Sequence, residues 1–322
     1  MGVPAVFARI SRCSLQWGVF TAAASVLLGA PDGQGGRHVL VEGDLTVTIE
    51  TAAAEPLPRF DQTAVVRSVT CHGREWLEGP GLADEFGLEG FGVLGFTDAS
   101  LGGNFVKIGV GVLTRDVPGP YRFRHPYPCR ANFPTEVTAG AKELRVVQAS
   151  SEVNGYRYVY TKTYAVGADR TLTILYQLHN DGQRPFSFEH YNHNFFRLPE
   201  RDGAVGTRLE AGFDLAAPPG GWQHVSARAV RWAGERFLTT GQFWRQPLAP
   251  AAEAHEVTMT WPDGAGVRIE GTSPVHRFAV WLERSAVCPE LFSRFSVQPG
   301  ETARWSRRYQ FAVASDQDGG RS

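Results

Sequence analysis

Residues 156–164, YRYVYTKTY, alternate without a break: Tyr156, Tyr158, Tyr160, Lys162 and Tyr164 fall on one side of an extended chain, Arg157, Val159, Thr161 and Thr163 on the other. A period of two marks a strand, and Asn154-Gly155 just ahead of it reads as a hairpin turn from residues 144–148. Residues 171–178 (TLTILYQL) repeat the pattern, with Leu172, Ile174, Tyr176 and Leu178 together. Residues 39–50 read as one strand with Leu45, Val47 and Ile49 on a shared face. Residues 105–113 (FVKIGVGVL) read as another, whose glycines suggest bulges or a close neighbour. Further strands are expected at 186–196, 256–261, 267–270, 278–283 and 304–313, with a turn at 262–264 and a frayed polar end at 315–322. No stretch shows a capped helical period, an internal repeat or a low-complexity linker. Many short strands at regular spacing predict an all-β fold, a single large antiparallel sandwich.

Composition agrees. The chain has 322 residues, 43% hydrophobic and 20% charged, so a substantial core is available. Its 36 Gly, 20 Pro and 2 Met favour strands and turns over helical bundles. The formal net charge of -1 and the lack of Lys/Arg runs argue against nucleic acid as a partner. Aromatic residues reach 11%, enough to furnish both a core and ring faces on which a sugar could pack.

The N-terminus has the form of an export signal, with Arg9 and Arg12 followed by an apolar, Ala-rich stretch at 18–30 that is short for a membrane span. Residues 1–30 are therefore expected to be a signal and 31–322 one exported domain, periplasmic or extracellular, with no span in the mature chain. Cys13 falls in that signal. Cys71, Cys129 and Cys288 remain, which permits at most one disulfide, and no CxxC spacing suggests zinc.

The richest chemistry lies in residues 189–198, EHYNHNFFRL. In a strand Glu189, Tyr191, His193 and Phe195 share one face, and His190, Asn192, Asn194 and Phe196 the other. His190 and His193 thus cannot chelate one ion. Several hydrogen-bonding side chains among aromatics need partners, and a cleft wall supplies them through water or a hydroxylated ligand more readily than a core does.

YNHNFFRL resembles the NHxxF motif of the aldose 1-epimerases, the galactose-mutarotase superfamily. The resemblance implies a β-supersandwich fold, His193 as general acid and a late glutamate as general base. That glutamate is Glu290, in residues 287–292 (VCPELF), ahead of Pro299-Gly300-Glu301 and the closing segment 305–311 (WSRRYQF). The family's early Asn-Arg motif is not visible in the sequence, and for its mid-chain aspartate only Asp214 offers itself. Residues 84–88 (DEFGL), 105–111, 125–127 (HPY) and the YNHNFF run resemble a bacterial aldose-epimerase-like subgroup.

Interconverting sugar anomers requires a base at the C1 hydroxyl and an acid at the ring oxygen. A histidine, with an unperturbed pKa of ~6.5, and a carboxylate suit these tasks, and the chemistry calls for no metal, nucleotide or redox cofactor. Asn192, Lys107, His125 and Glu85 are candidates to bind sugar hydroxyls, with Arg74 beside them. Trp76, Phe91, Tyr127 and Trp281 are candidate stacking platforms, although core packing is the default for each. Glu270 and Glu283 are a formal carboxylate pair for glycoside hydrolysis. The expected partner is a monosaccharide or an oligosaccharide reducing end, bound by a monomer or dimer. The alternatives are a non-catalytic carbohydrate-binding accessory protein, or a lyase or hydrolase on the same fold.

Overall fold

The alternation at 156–164 is realised in a computed structural model that describes residues 36–52, 59–198, 205–218, 220–234, 242–283 and 285–313. Tyr158, Tyr160, Lys162 and Tyr164 are all buried on one side of a strand. Among the described residues the regular structure is all β, with antiparallel pairing throughout and no helix. The expected signal, Cys13 and residues 315–322 lie outside the described residues.

The chain opens with β1 (Arg37–Glu42), β2 (Leu45–Thr51), β3 (Ala64–Cys71), β4 (Arg74–Glu75) and β5 (Leu77–Phe86). A small sheet follows, made of β6 (Val93–Leu94), β7 (Asn104–Lys107), β8 (Gly111–Thr114) and β9 (Cys129–Asn132). Next come β10 (Thr135–Ala139), β11 (Glu143–Ala149), β12 (Tyr158–Gly167) and β13 (Thr171–Asn180), and then the long β14 (Phe186–Arg197). After it run β15 (Arg208–Ala211), β16 (Trp222–Ser226), β17 (Ala229–Trp232) and β18 (Gln242–Ala252). The last strands are β19 (Glu256–Thr260), β20 (Gly266–Gly271), β21 (Val275–Leu282), β22 (Ala286–Val297) and β23 (Thr302–Ala312).

Two large sheets result. The first runs β1-β2-β3-β5-β14-β22-β21-β18, with β4 attached to β3; the second runs β10-β11-β12-β13-β23-β20-β19-β15-β17-β16. Two runs expected as single strands are hairpins instead. Residues 39–50 fold back at Gly43 (φ 58°) and residues 105–113 at Gly109 (φ 77°), backbone angles that glycine adopts without steric cost. Leu45, Val47 and Ile49 still share a buried face. Gly81 is needed for a different reason: a Cβ there would overlap the carbonyl oxygen of Val66, where β5 leaves β3 to run beside β14.

The two sheets bury their facing sides together. Tyr176 of β13 stacks on Trp305 of β23 with centroids 5.1 Å apart, and Trp305 Nε1 donates to His190 Nδ1 at 3.0 Å across the interface. At the centre sits Asp84 of β5. Its carboxylate accepts from Lys162 Nζ (3.1 Å), Tyr176 Oη (2.9 Å), Asn192 Nδ2 and, at 3.1 Å, the Nε2 side of His190. Lys162 also pairs with Asp61 at 2.8 Å. Burial alone would raise the Asp84 carboxyl, but Lys162, His190 and Tyr176 hold it down at about 2. Burial lowers His190 to about 4, so this ring is neutral.

Candidate active site

Strand β14 lies between β5 and β22, and its alternation divides its side chains between two environments. His190, Asn192, Asn194 and Phe196 point into the intersheet layer, while Tyr191, His193 and Phe195 belong to the outer face. His190 and His193 are therefore on opposite sides of the sheet, as strand geometry requires. Pairing between β14 and β22 holds from Phe186↔Val297 to His190↔Ser293 and resumes in the same register at Phe196↔Val287. That register sets His193 opposite Glu290. Their side chains meet, His193 Nε2 lying 3.1 Å from Glu290 Oε1.

Aromatic rings surround the pair. Phe195 stacks on the His193 imidazole at 4.1 Å and Phe60 meets it edge-on at 5.8 Å. Phe195, Cys288, Phe60 and Trp281 form one apolar cluster, and Phe243 on β18 extends it 6.5 Å from Trp281. The His193 side chain is only 7% exposed and that of Glu290 3%, so water screens neither well.

Burial pushes the Glu290 carboxyl up to about 8, Glu85 adding to the effect and Arg59 and Arg277 opposing it. Burial also lowers His193 to about 3, assisted by Arg59. Burial therefore favours the uncharged form of each group, a protonated carboxyl opposite a neutral imidazole. His193 Nδ1 is buried and has no hydrogen-bond partner.

No protein-family model and no curated protein matches the sequence. Solved structures do match the fold. A putative aldose 1-epimerase from Escherichia coli K12 superimposes with a TM-score of 0.56 at 14% identity, over 87% of this chain and 100% of that one. A galactose mutarotase related enzyme from Lactobacillus acidophilus gives 0.56 at 12% identity, over 87% and 98%. An aldose epimerase homologue from C. elegans gives 0.55 at 13% identity, over 87% and 99%. The fold is galactose mutarotase-like.

On this mutarotase-like frame the structure brings Glu85 and Lys107 together behind Tyr191. Glu85 is fully buried; Arg59 Nε donates to its Oε2 at 3.0 Å and Tyr191 Oη also donates to Oε2. Its other oxygen has no hydrogen bond and lies 3.9 Å from Lys107 Nζ, which donates to Tyr121 Oη at 2.9 Å. Burial lowers Lys107 to about 8. Arg59 had no signal in the sequence. It sits in an irregular stretch between β2 and β3, and only the fold carries its guanidinium to Glu85 and Tyr191 and over the rings of Phe60 and Phe123. Pro58, not an asparagine, precedes it in the sequence.

Other expectations are corrected by the mutarotase-like structure. Asn192 is not positioned to touch a sugar on the outer face, since its amide is spent between the sheets on Asp84, Tyr176 and Arg307. His125 pairs with Asp116 at 2.8 Å and meets the ring of Tyr127 edge-on. Asp214 is a surface residue paired with Arg228. Arg74 pairs with Asp263 and covers Trp76 and Trp261, so Trp76 is core, as is buried Tyr127. Phe91 is exposed under Arg294. Glu270 pairs with Arg268 and Arg308 in the second sheet, whereas Glu283 follows β21 of the first, so they form no catalytic couple. Cys129 and Cys288 are free thiols, and Cys71 Sγ donates to Asp44 Oδ2 at 3.6 Å. Among the described residues no cluster of His, Cys, Asp and Glu is arranged to hold a metal, and no helix is long and apolar enough to cross a membrane.

Proposed function

We propose that this protein is an aldose 1-epimerase-like isomerase that interconverts the anomers of a free sugar or of an oligosaccharide reducing end, with Glu290 and His193 as its proton donor and acceptor. The observation that carries this reading is the 3.1 Å approach of His193 Nε2 to Glu290 Oε1 beside aromatic faces. The two oxygens of a hemiacetal share one carbon, so the acid and base that open it must converge on neighbouring points. When the ring opens, the C1–O5 bond breaks, O5 gains a proton and the C1 hydroxyl loses one, leaving an aldehyde. Rotation about C1–C2 and closure on the other face reverse both transfers. A pair with one proton and one vacant lone pair can run this cycle in either direction and ends as it began. The neutral His193/protonated Glu290 state has that stoichiometry, and each positioned transfer is worth roughly 10²–10⁴-fold. Beginning from this state, Glu290 protonates O5 and His193 accepts the hydroxyl proton. If the proton first crosses to the imidazole, the roles become those the family resemblance implies. An export segment at residues 1–30 would favour an unphosphorylated sugar.

Polarimetry tests this. Purified protein added to freshly dissolved α-D-glucose or α-D-galactose should speed the decay of optical rotation, and His193→Ala and Glu290→Gln should each abolish the acceleration while circular dichroism stays unchanged. A wild-type protein that leaves the decay at the buffer rate, or a variant that retains full activity, overturns the assignment. The second reading, sugar binding without turnover, is favoured by the slight exposure of the two side chains, 7% and 3%. It predicts sugar NMR shifts on binding with an unchanged rate.

A further inference from the structure

The backbone ladder between β14 and β22 lapses where the candidate pair stands. Residues 191–195 and 288–292 are not paired with each other, although the register is intact on both sides and each segment stays paired to its outer neighbour, β5 or β21. Pro289 explains part of this gap. It lies opposite Asn194 in the preserved register, and a proline has no N–H to give back. Where the ladder lapses, no backbone N–H of β14 is paired to the Pro289 carbonyl, and a buried carbonyl needs another donor.

That donor is a side chain. Asn194 Nδ2 donates to the carbonyl oxygen of Pro289 at 2.7 Å, and Asn194 Oδ1 accepts from Tyr309 Oη at 2.9 Å. All three groups are buried. On its other edge β14 is irregular at the same place, with a register shift against β5 between Asn194 and Phe196. A bulge of this kind re-aims side chains.

We infer that Asn194 is a positioning residue, a side-chain strut that replaces the missing backbone pair and sets the distance between His193 and Glu290. The placement is direct. Asn194 follows His193 in the chain, Pro289 precedes Glu290, and the hydrogen bond joins those two neighbours across the gap. Tyr309, from β23 of the second sheet, holds the strut from behind. Without it, the two strands are free to part where no backbone bond restrains them, and the imidazole and carboxyl drift out of register with the two oxygens of a hemiacetal. The inference rests on the isomerase reading for its functional meaning, but its geometry can be tested separately.

Two variants make the test, Asn194→Ala and the milder Tyr309→Phe. With α-D-glucose and polarimetric detection, Asn194→Ala should lower kcat on the order of 10²-fold with KM little changed, the scale of a displacement near 1 Å. Tyr309→Phe should shift kcat in the same direction by less. The second readout is the Glu290 carboxyl followed by ¹³C NMR. Its titration midpoint should move from about 8 toward the ordinary carboxylate range in both variants as water enters the gap. Folded variants with wild-type kcat and an unmoved Glu290 midpoint overturn the inference, as does a loss expressed in KM alone. If the wild-type protein itself fails to accelerate anomerisation, the isomerase reading fails. A displaced Glu290 midpoint in the variants still upholds the strut in that case.

Discussion

The two faces of β14 carry similar side chains to different ends. On the intersheet face Asp84 accepts from four donors, Lys162 is ion-paired twice, and His190 is hydrogen-bonded through both ring nitrogens. On the outer face His193 Nδ1 has no hydrogen bond, Glu85 Oε1 has none beyond a 3.9 Å ion pair to Lys107, and burial favours the neutral form of Glu290. A buried polar group whose every bond is made locks a fold together. One with capacity left over, in contact with a second titratable group, is placed for chemistry. Histidines three positions apart, and the adjacent carboxylates Asp84 and Glu85, thus stand in different environments on the two faces.

Breaking the intersheet face should have the largest effect. Asp84→Ala leaves Lys162 with fewer partners in a fully buried layer, and removal of one partner of a buried pair typically costs about 3–5 kcal/mol. Urea unfolding should show that loss; a variant as stable as the parent would remove the distinction between the faces. Next come substitutions of the reacting pair. His193→Ala and Glu290→Gln should lower the anomerisation rate by roughly 10²–10⁴-fold at little cost in urea stability. Glu290→Gln has a further signature. The folded carboxyl is raised to about 8, so its contribution to stability is complete below the unfolded value and is lost as pH rises through about 8. The amide variant should gain on the parent as unfolding is measured at increasing pH.

The pH profile sharpens the comparison. kcat/KM should be level across neutral pH, fall above about 8 as Glu290 loses the only proton of the pair, and fall below about 3 as His193 gains a second. Arg59 depresses both groups, so Arg59→Ala should move both limbs to higher pH; an unshifted profile would detach Arg59 from the pair. The smallest effect is expected at the rim. Phe243→Ala removes a ring that is 48% exposed, so unfolding should shift by no more than ~0.5 kcal/mol. A rise in KM without a fall in kcat would mark Phe243 as a sugar-binding surface.

Alternation made much of this legible beforehand. The tyrosines from 158 to 164, the 172–178 run and the division of His190 from His193 all follow from a period of two, and the late motif supplied Glu290. What could not be read was tertiary. Arg59 belongs to no periodic element and has meaning only beside Glu85. Asn192 was drawn to the site by adjacency to His193, when that adjacency turns it the other way. The hairpins at Gly43 and Gly109 were hidden because a single glycine turn can interrupt an apolar run without changing its hydrophobic pattern.

The path of the chain between the sheets bears on biosynthesis. β14 reaches the middle of the first sheet well before its second neighbour, β22, has been translated. As the polypeptide leaves the ribosome, one flank of that strand waits with open hydrogen-bonding groups, a template for pairing with the wrong chain. Folding helpers would be needed most in this interval, and shortened products that stop before β22 should accumulate as aggregates.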